Sequence, residues 1–332
     1  MCEEVRKVRN GKLVAAFAAL LVVSFAAMNA MPSDTLLAAL LQEAVLALVG
    51  LAAVGFAVPA ALMRCTQSVQ QRDTTVRFSA IALLLTGLIG GTITLMNWSF
   101  VDCGNGAGLV SAASPSAAGL MENLLLLLGI CLLTGLYEES FMRVLGIEAF
   151  ERAFGQGGAA SRRTIGECDA RLAVSEHVVG GRPAHPTASG YAAGGSVGIP
   201  GEIEHDTVKL PIAFNPAAKR AILVSALLFA LLHVGAPDVS AGQLVLLQTA
   251  LKFGQALLFG VTLGALYVRT RRLWPCAFIH AGFDVLYLAP NVLLTGMMPE
   301  TYASGAVGDT VLLAVSVLML SGIVLKICKE IA

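Results

Sequence analysis

The chain has 332 residues, 56% of them hydrophobic and 13% charged, with 22 Lys and Arg against 22 Asp and Glu. Soluble domains carry about 25% charged residues, so an ordinary soluble globule is excluded, and a formal net charge of zero argues against a nucleic-acid partner. The charge deficit is concentrated in apolar blocks of roughly 20 residues, the length a helix needs to cross about 30 Å of hydrocarbon, and blocks without alternation exclude a transmembrane barrel.

The sequence predicts an all-α fold: a polytopic transmembrane helical bundle, a single domain over 1–332. About eight spans are expected, in chain order 13–31, 36–63, 78–97, 118–137 (continuing as helix to about 149), 218–235, 243–268, 273–291 and 306–325. The first follows a basic start but lacks a small-x-small cleavage site, so it is read as a retained anchor. The connections alternate in charge. The N-terminus (Arg6, Lys7, Arg9, Lys12), the 64–77 loop (Arg64, Arg72, Arg77), the 150–217 segment, the 269–272 turn and the tail (Lys326, Lys329) are basic. The intervening loops, such as "PSDT" and "GAPDVSA", contain no Lys or Arg. By the positive-inside rule, both termini are cytoplasmic.

Residues 150–217 are rich in Gly, Ala, Ser and Arg, with little periodicity, and are expected to form a long, flexible cytoplasmic insertion. His177, His185 and His205 within it have no standard zinc spacing. "GNGAG" at 104–108 follows no predicted strand and is not a nucleotide loop. The seven cysteines show no C-x-x-C spacing, so no disulfide framework or cysteine zinc site is expected.

Ionisable residues inside spans cost about 2.5–3.5 kcal/mol each on insertion scales, so they are the first place to seek function. Glu43, Glu122, Glu138, Glu139, Arg143, His233, Lys252, His280 and Asp284 qualify. In "YEESFMR", Glu139 and Arg143 are one turn apart on one helix face, and Glu138 is rotated by about 100°. In "FALLHVG", Phe229 and His233 share a face, and in "FIHAGFD" so do His280 and Asp284. Singly, each group is open to a plain reading: a helix-end charge pair, a packed histidine, a structural His–Asp contact. Depth joins them, because at about 1.5 Å per residue all three groups fall roughly 10–20 Å from the cytoplasmic ends of their helices. One polar cavity open to the cytoplasm would satisfy them together. A glutamate in a poorly solvated pocket can take a proton from water, while imidazoles stabilise an oxyanion or bind a metal. Ser140 adjoins the glutamates but points about 100° away from Glu139, a weak candidate nucleophile.

The three groups, in this order and each on its own span, resemble the CPBP family of intramembrane proteases, which includes the type II CAAX prenyl endopeptidases and the bacteriocin-processing and self-immunity (Abi) proteins. The family pattern is E-E-x-x-x-R, F-x-x-x-H and H-x-x-x-N or H-x-x-x-D, matched here by Glu138, Glu139 and Arg143, by Phe229 and His233, and by His280 and Asp284. The run "FGVTLGALYVRTRRLWPCAFIHAGFD" looks like the family's approach to its last motif, and Gly260 and Gly264 on it would allow close helix packing. The resemblance covers 118–291, interrupted by the insertion. It implies an endopeptidase that hydrolyses a peptide bond near the cytoplasmic membrane face. Glu138 would activate water and His233 assist, His280 with Asp284 would stabilise the oxyanion, and Arg143 would hold Glu139. It leaves open a divalent metal such as zinc, with Glu138, His233, His280 and Asp284 as candidate ligands, beside a metal-free mechanism. It implies peptide or protein substrates, prenylated or otherwise membrane-anchored, and a multi-pass protein of the plasma membrane. Asp284 departs from the Asn of many members, since an ionised carboxylate is a poor oxyanion donor.

Two other classes compete. A non-catalytic bacteriocin-immunity or scaffold membrane protein would keep the motifs for packing. A proton-coupled transporter would string Glu43, Glu122 and Lys252 along a path, but the inverted repeat and broken helices of that class are not seen.

Overall fold

The computed structural model describes residues 35–58, 116–155, 215–234, 242–298 and 304–331, with shorter stretches between 12 and 26 and between 80 and 96, and residue 61. Among these residues the regular structure is entirely helical, and six helices are long and apolar enough to cross a membrane. They are α1 (Leu36–Ala57), α2 (Ala117–Gly155), α3 (Pro216–Val234), α4 (Gln243–Thr270), α5 (Leu273–Thr295) and α6 (Val307–Ile331). The expected spans at 13–31 and 78–97 lie partly outside the described residues; the second of them contributes a short apolar helix, Thr86–Met96.

Local chemistry sets the ends. The Thr35 hydroxyl accepts the Ala38 N–H at 3.2 Å to start α1, and α1 stops at Ala57 rather than at 63. Val58 leaves the helix because Pro59 follows it, and the residue before a proline is driven from the α region. Ser116 caps α2 through the Gly119 N–H. Asn215 caps α3, accepting the Ala218 N–H at 2.7 Å, with Pro216 in the first helical position where its missing N–H costs nothing. At its other end α2 runs to Gly155, beyond the expected 149, and α3 starts at Pro216, so helix overlaps both edges of the 150–217 segment. The rest of that segment, with His177, His185 and His205, lies outside the described residues, as do Cys103 and "GNGAG".

α5 continues to Thr295 through Pro290, four residues past the expected end. Pro290 has no N–H for the Leu286 carbonyl one turn back, an omission that normally breaks a helix. Here the Thr94 hydroxyl donates to the Leu286 oxygen instead, tying the 86–96 helix to α5.

Two features position the site. Ser140–Ile147 of α2 is a π-helix, with all eight residues buried, in contact with α1, α3, α4 and α5. Glycines also bring helices to backbone contact. A Cβ on Gly135 of α2 would lie 2.7 Å from the Ala277 carbonyl oxygen of α5, and one on Gly260 of α4 would lie 3.0 Å from Ala226 of α3. Gly264 faces Ile222 of α3 at 3.1 Å, so Gly260 and Gly264 form the close-packing face expected of them. Outward, Leu37, Leu48, Leu125, Leu223, Leu231 and Leu318 are exposed, which leaves the perimeter apolar as a lipid-facing surface requires.

The α4–α5 connection closes one end of the bundle. Arg271 adopts φ 51°, its N–H returning to the Tyr267 carbonyl at 2.6 Å. Its guanidinium reaches Glu148 at 2.8 Å and Glu151 at 2.8 Å, and the Tyr267 hydroxyl donates to Glu148 at 3.2 Å. The basic turn is thereby clamped to the last turns of α2, so the two basic segments expected on one side of the membrane meet at one end of the bundle.

Candidate active site

The three sequence groups come together, one each from α2, α3 and α5. Glu138 Oε2 lies 3.6 Å from His233 Nε2 and 3.5 Å from His280 Nε2, and His280 Nε2 lies 3.4 Å from Asp284 Oδ2. Behind them, His280 Nδ1 meets Glu139 Oε1 at 2.9 Å, and Glu139 Oε2 meets Arg143 Nε at 3.1 Å. Had Glu138 lain far from both imidazoles, shared depth would have meant nothing.

Exposure divides the set. Glu139 and Arg143 side chains are 0% exposed and His280 is 3%, whereas Glu138 is 22% and His233 and Asp284 are each 25%. The first three are locked in the interior and the others face a cavity. The adjacent glutamates have separate duties, as their rotation on the helix predicts: Glu139 is held by the arginine, and Glu138 opens to the cavity.

The hydrogen bonds orient both imidazoles. His233 Nδ1 is 2.8 Å from the Phe229 carbonyl one turn earlier, an acceptor only, so this nitrogen carries the proton. The Nδ1–H of His280 donates to Glu139 in the same way. Each ring is therefore fixed with Nε2 turned toward Glu138. The gaps of 3.5–3.6 Å between these proton-accepting atoms are ones a shared proton or a water can bridge.

Arg143 is anchored on three sides. Besides Glu139, its Nη1 donates to Ser225 Oγ at 3.2 Å, and its guanidinium carbon stands 4.5 Å above the Phe229 ring. Ser225 in turn donates to the Met142 carbonyl at 2.6 Å, inside the π-helical stretch. Phe259 of α4 presses edge-on against His280, with ring centroids 5.2 Å apart. The sequence reading missed Ser225 and Phe259. Ser225 had a signal, since Ser225, Phe229 and His233 recur every fourth residue on one face of α3.

A cavity of about 280 Å³ opens in front of Glu138, His233 and Asp284. Glu43 of α1 and Lys252 of α4 reach it as well, while Ile130 and Leu288 give it an apolar wall. Lys252, which the sequence left without a role, thus belongs to this site. Glu122 is exposed at the far end of α2 and takes no part, and Ser140 turns toward Gly50 of α1, not into the cavity. Imidazole and carboxylate donors suit zinc by chemistry. Among the described residues, however, no group of three or more His, Cys, Asp or Glu side chains is placed to hold a metal ion.

An all-helical integral membrane protein with a buried acid–imidazole centre is the class that fold and site define. The model of the Rce1-like family, type II CAAX prenyl endopeptidase, matches residues 209–286 and supports assignment of the chain to the CPBP/CAAX protease family. The matched stretch holds Phe229, His233, His280 and Asp284, and Glu138, Glu139 and Arg143 lie before it. No curated protein and no solved structure matches the chain.

Proposed function

We propose that the protein is an intramembrane endopeptidase that hydrolyses a peptide bond near the cytoplasmic membrane face with water activated by Glu138. The observation that carries this reading is the convergence of Glu138, His233 and His280, from three separate helices, within 3.6 Å of one another at the wall of a polar cavity. The family supplies the general activity, and the geometry supports the roles.

Glu138 Oε2 takes a proton from a water in the cavity, and the hydroxide adds to the scissile carbonyl carbon. His233, fixed by the Phe229 carbonyl, shares the proton with Glu138 and steadies the water. The negative oxygen of the tetrahedral intermediate is stabilised by a proton on Nε2 of His280, whose charge Asp284 and Glu139 balance. Collapse breaks the C–N bond as Glu138 returns its proton to the leaving nitrogen, giving a carboxylic acid and an amine. Arg143 touches no reacting atom. It holds Glu139, which holds His280. Because the residues converge without a metal, no step is routed through one.

The substrate is a peptide or protein anchored in the bilayer, a prenylated chain among the candidates, in keeping with the apolar wall of the cavity. We place the protein in the plasma membrane, with about eight spans and both termini cytoplasmic, on the sided distribution of Lys and Arg.

The test compares the proteomes of membranes that carry wild type or Glu138→Ala at equal expression and insertion. At least one cleavage product should disappear with the variant. If no fragment distinguishes the two membranes and both proteins unfold at the same temperature in detergent, Glu138 is not a catalytic base.

A further inference from the structure

Four acidic side chains gather around the site, and cations account for them unequally. Glu139 is matched by Arg143 at 3.1 Å. Glu43, Glu138 and Asp284 all reach the larger cavity, and Lys252 is the only Lys or Arg among the described residues that line it. Lys252 and Asp284 also share a much smaller cavity, of about 20 Å³, into which neither Glu43 nor Glu138 extends. The ammonium therefore stands nearest to the Asp284 side of the site.

Its position is fixed from several directions. Lys252 Nζ donates to Gln255 Oε1 at 3.0 Å, one turn along α4, and sits 5.4 Å from the centre of the Tyr287 ring, one turn beyond Asp284 on α5. The Gln255 amide nitrogen donates to Ser316 Oγ of α6 at 2.6 Å, which aims its oxygen at the lysine. A buried chain of polar groups thus runs from Ser316 on α6 through Gln255 to Lys252 on α4. It ends beside Asp284 on α5.

We propose that Lys252 is a positioning residue, the counter-charge of Asp284, held there by the Gln255–Ser316 chain so that Nε2 of His280 is left to Glu138. Without a cation close by, Asp284 Oδ2, at 3.4 Å, competes with Glu138 Oε2, at 3.5 Å, for the same imidazole nitrogen. With the ammonium beside it, the Asp284 charge is matched on the far side from His280. The site then contains two matched acids, Glu139 with Arg143 and Asp284 with Lys252, and Glu138 is the acid free to exchange a proton with water. The inference depends on the protease reading only for its activity arm.

The test is a double-mutant cycle on the full chain with Lys252→Met, Asp284→Asn and the pair, read first as unfolding temperature in detergent, which needs no substrate. Removing the lysine alone leaves a buried carboxylate unmatched, so Lys252→Met should lower the unfolding temperature by several degrees. Adding Asp284→Asn should bring it back toward wild type. If Lys252→Met does not accumulate in membranes, the pair should. Additive losses, or a pair that accumulates no better than Lys252→Met, overturn the inference. The second reading is the fragment lost with Glu138→Ala. Lys252→Met should reduce it at least tenfold, Lys252→Arg should restore most of it, and the pair should cleave no more slowly than Asp284→Asn alone. No rescue by arginine, with the stability cycle additive, rejects the role. If Glu138→Ala loses no fragment, the protease reading falls, and the stability cycle alone decides the charge pairing.

Discussion

The closest helix crossing in the site is at Gly135, and a single methyl group there should disable the protein from a position that touches no substrate. In Gly135→Ala the new Cβ would meet the Ala277 carbonyl oxygen at 2.7 Å and the Ala281 nitrogen at 3.2 Å, both of them backbone atoms with no rotamer to yield. Ordinary contacts begin at 3.4 Å, so α2 and α5 must part locally by about 0.7 Å. Glu139 lies one turn beyond Gly135, and His280 nearly one turn beyond Ala277, so the separation falls on their hydrogen bond. At 2.9 Å it would stretch to about 3.6 Å, past the useful range. Overpacking of this kind costs about 1–3 kcal/mol of stability, and a misplacement approaching 1 Å costs about 100-fold in rate. The assay is paired: unfolding temperature in detergent, and yield of the fragment lost with Glu138→Ala. Gly282→Ala, on the same helix and with nothing within 4 Å of its new Cβ, is the control that should leave both unchanged. Wild-type cleavage and unfolding by Gly135→Ala would show that the α2–α5 spacing does not set the geometry of the site.

Three further outcomes follow from particular contacts. Glu139→Gln leaves Arg143 buried without its anion and should cost about 3–5 kcal/mol, read as loss of folded protein in detergent; a variant of native stability would mean that Ser225 and Phe229 suffice to hold the guanidinium. Thr94→Val removes the donor that reaches the Leu286 carbonyl below Pro290, and an unmet buried carbonyl should cost about 1–3 kcal/mol. Hydrogen exchange should rise around Pro290 in that variant, and unchanged protection there would contradict the tie between the two helices. Arg271→Ala breaks two ion pairs at a residue 42% exposed, so screening keeps its effect to about 1 kcal/mol or less. Its effect should shrink in high salt with cleavage nearly intact, and abolished cleavage would show that the clamp sets the catalytic geometry.

What could be read from the sequence was what depends on helical spacing. Glu139 with Arg143, Phe229 with His233, and His280 with Asp284 share faces because four residues make about one turn, and each pair meets in the structure. Depth along the spans then predicted that the three groups would face one another. The parts that escaped depend on neighbours distant in the chain. Lys252 has no partner visible within its own helix except Gln255, and its place beside Asp284 comes from how α4 packs on α5. Pro290 read as the end of a helix because the compensating hydroxyl, Thr94, is nearly two hundred residues away. The π-helical stretch carries no residue that announces it, since its hydrogen-bond shift is favoured by burial among four other helices.

That stretch has a consequence for anyone who would alter the chain. Successive i→i+5 bonds fit an additional residue into a turn, and a one-residue deletion is the usual route from such a turn back to α-helical winding. Here the deletion would act as a phase error: every residue after it would swing by about 100°, carrying Arg143 off Glu139 and Glu148 off Arg271. Substitutions chosen to tighten winding between Ser140 and Ile147 would push the same way. The region should therefore resist both shortening and helix-favouring redesign, and an attempt to make the protein sturdier there would unseat the arginine that keeps His280 in place.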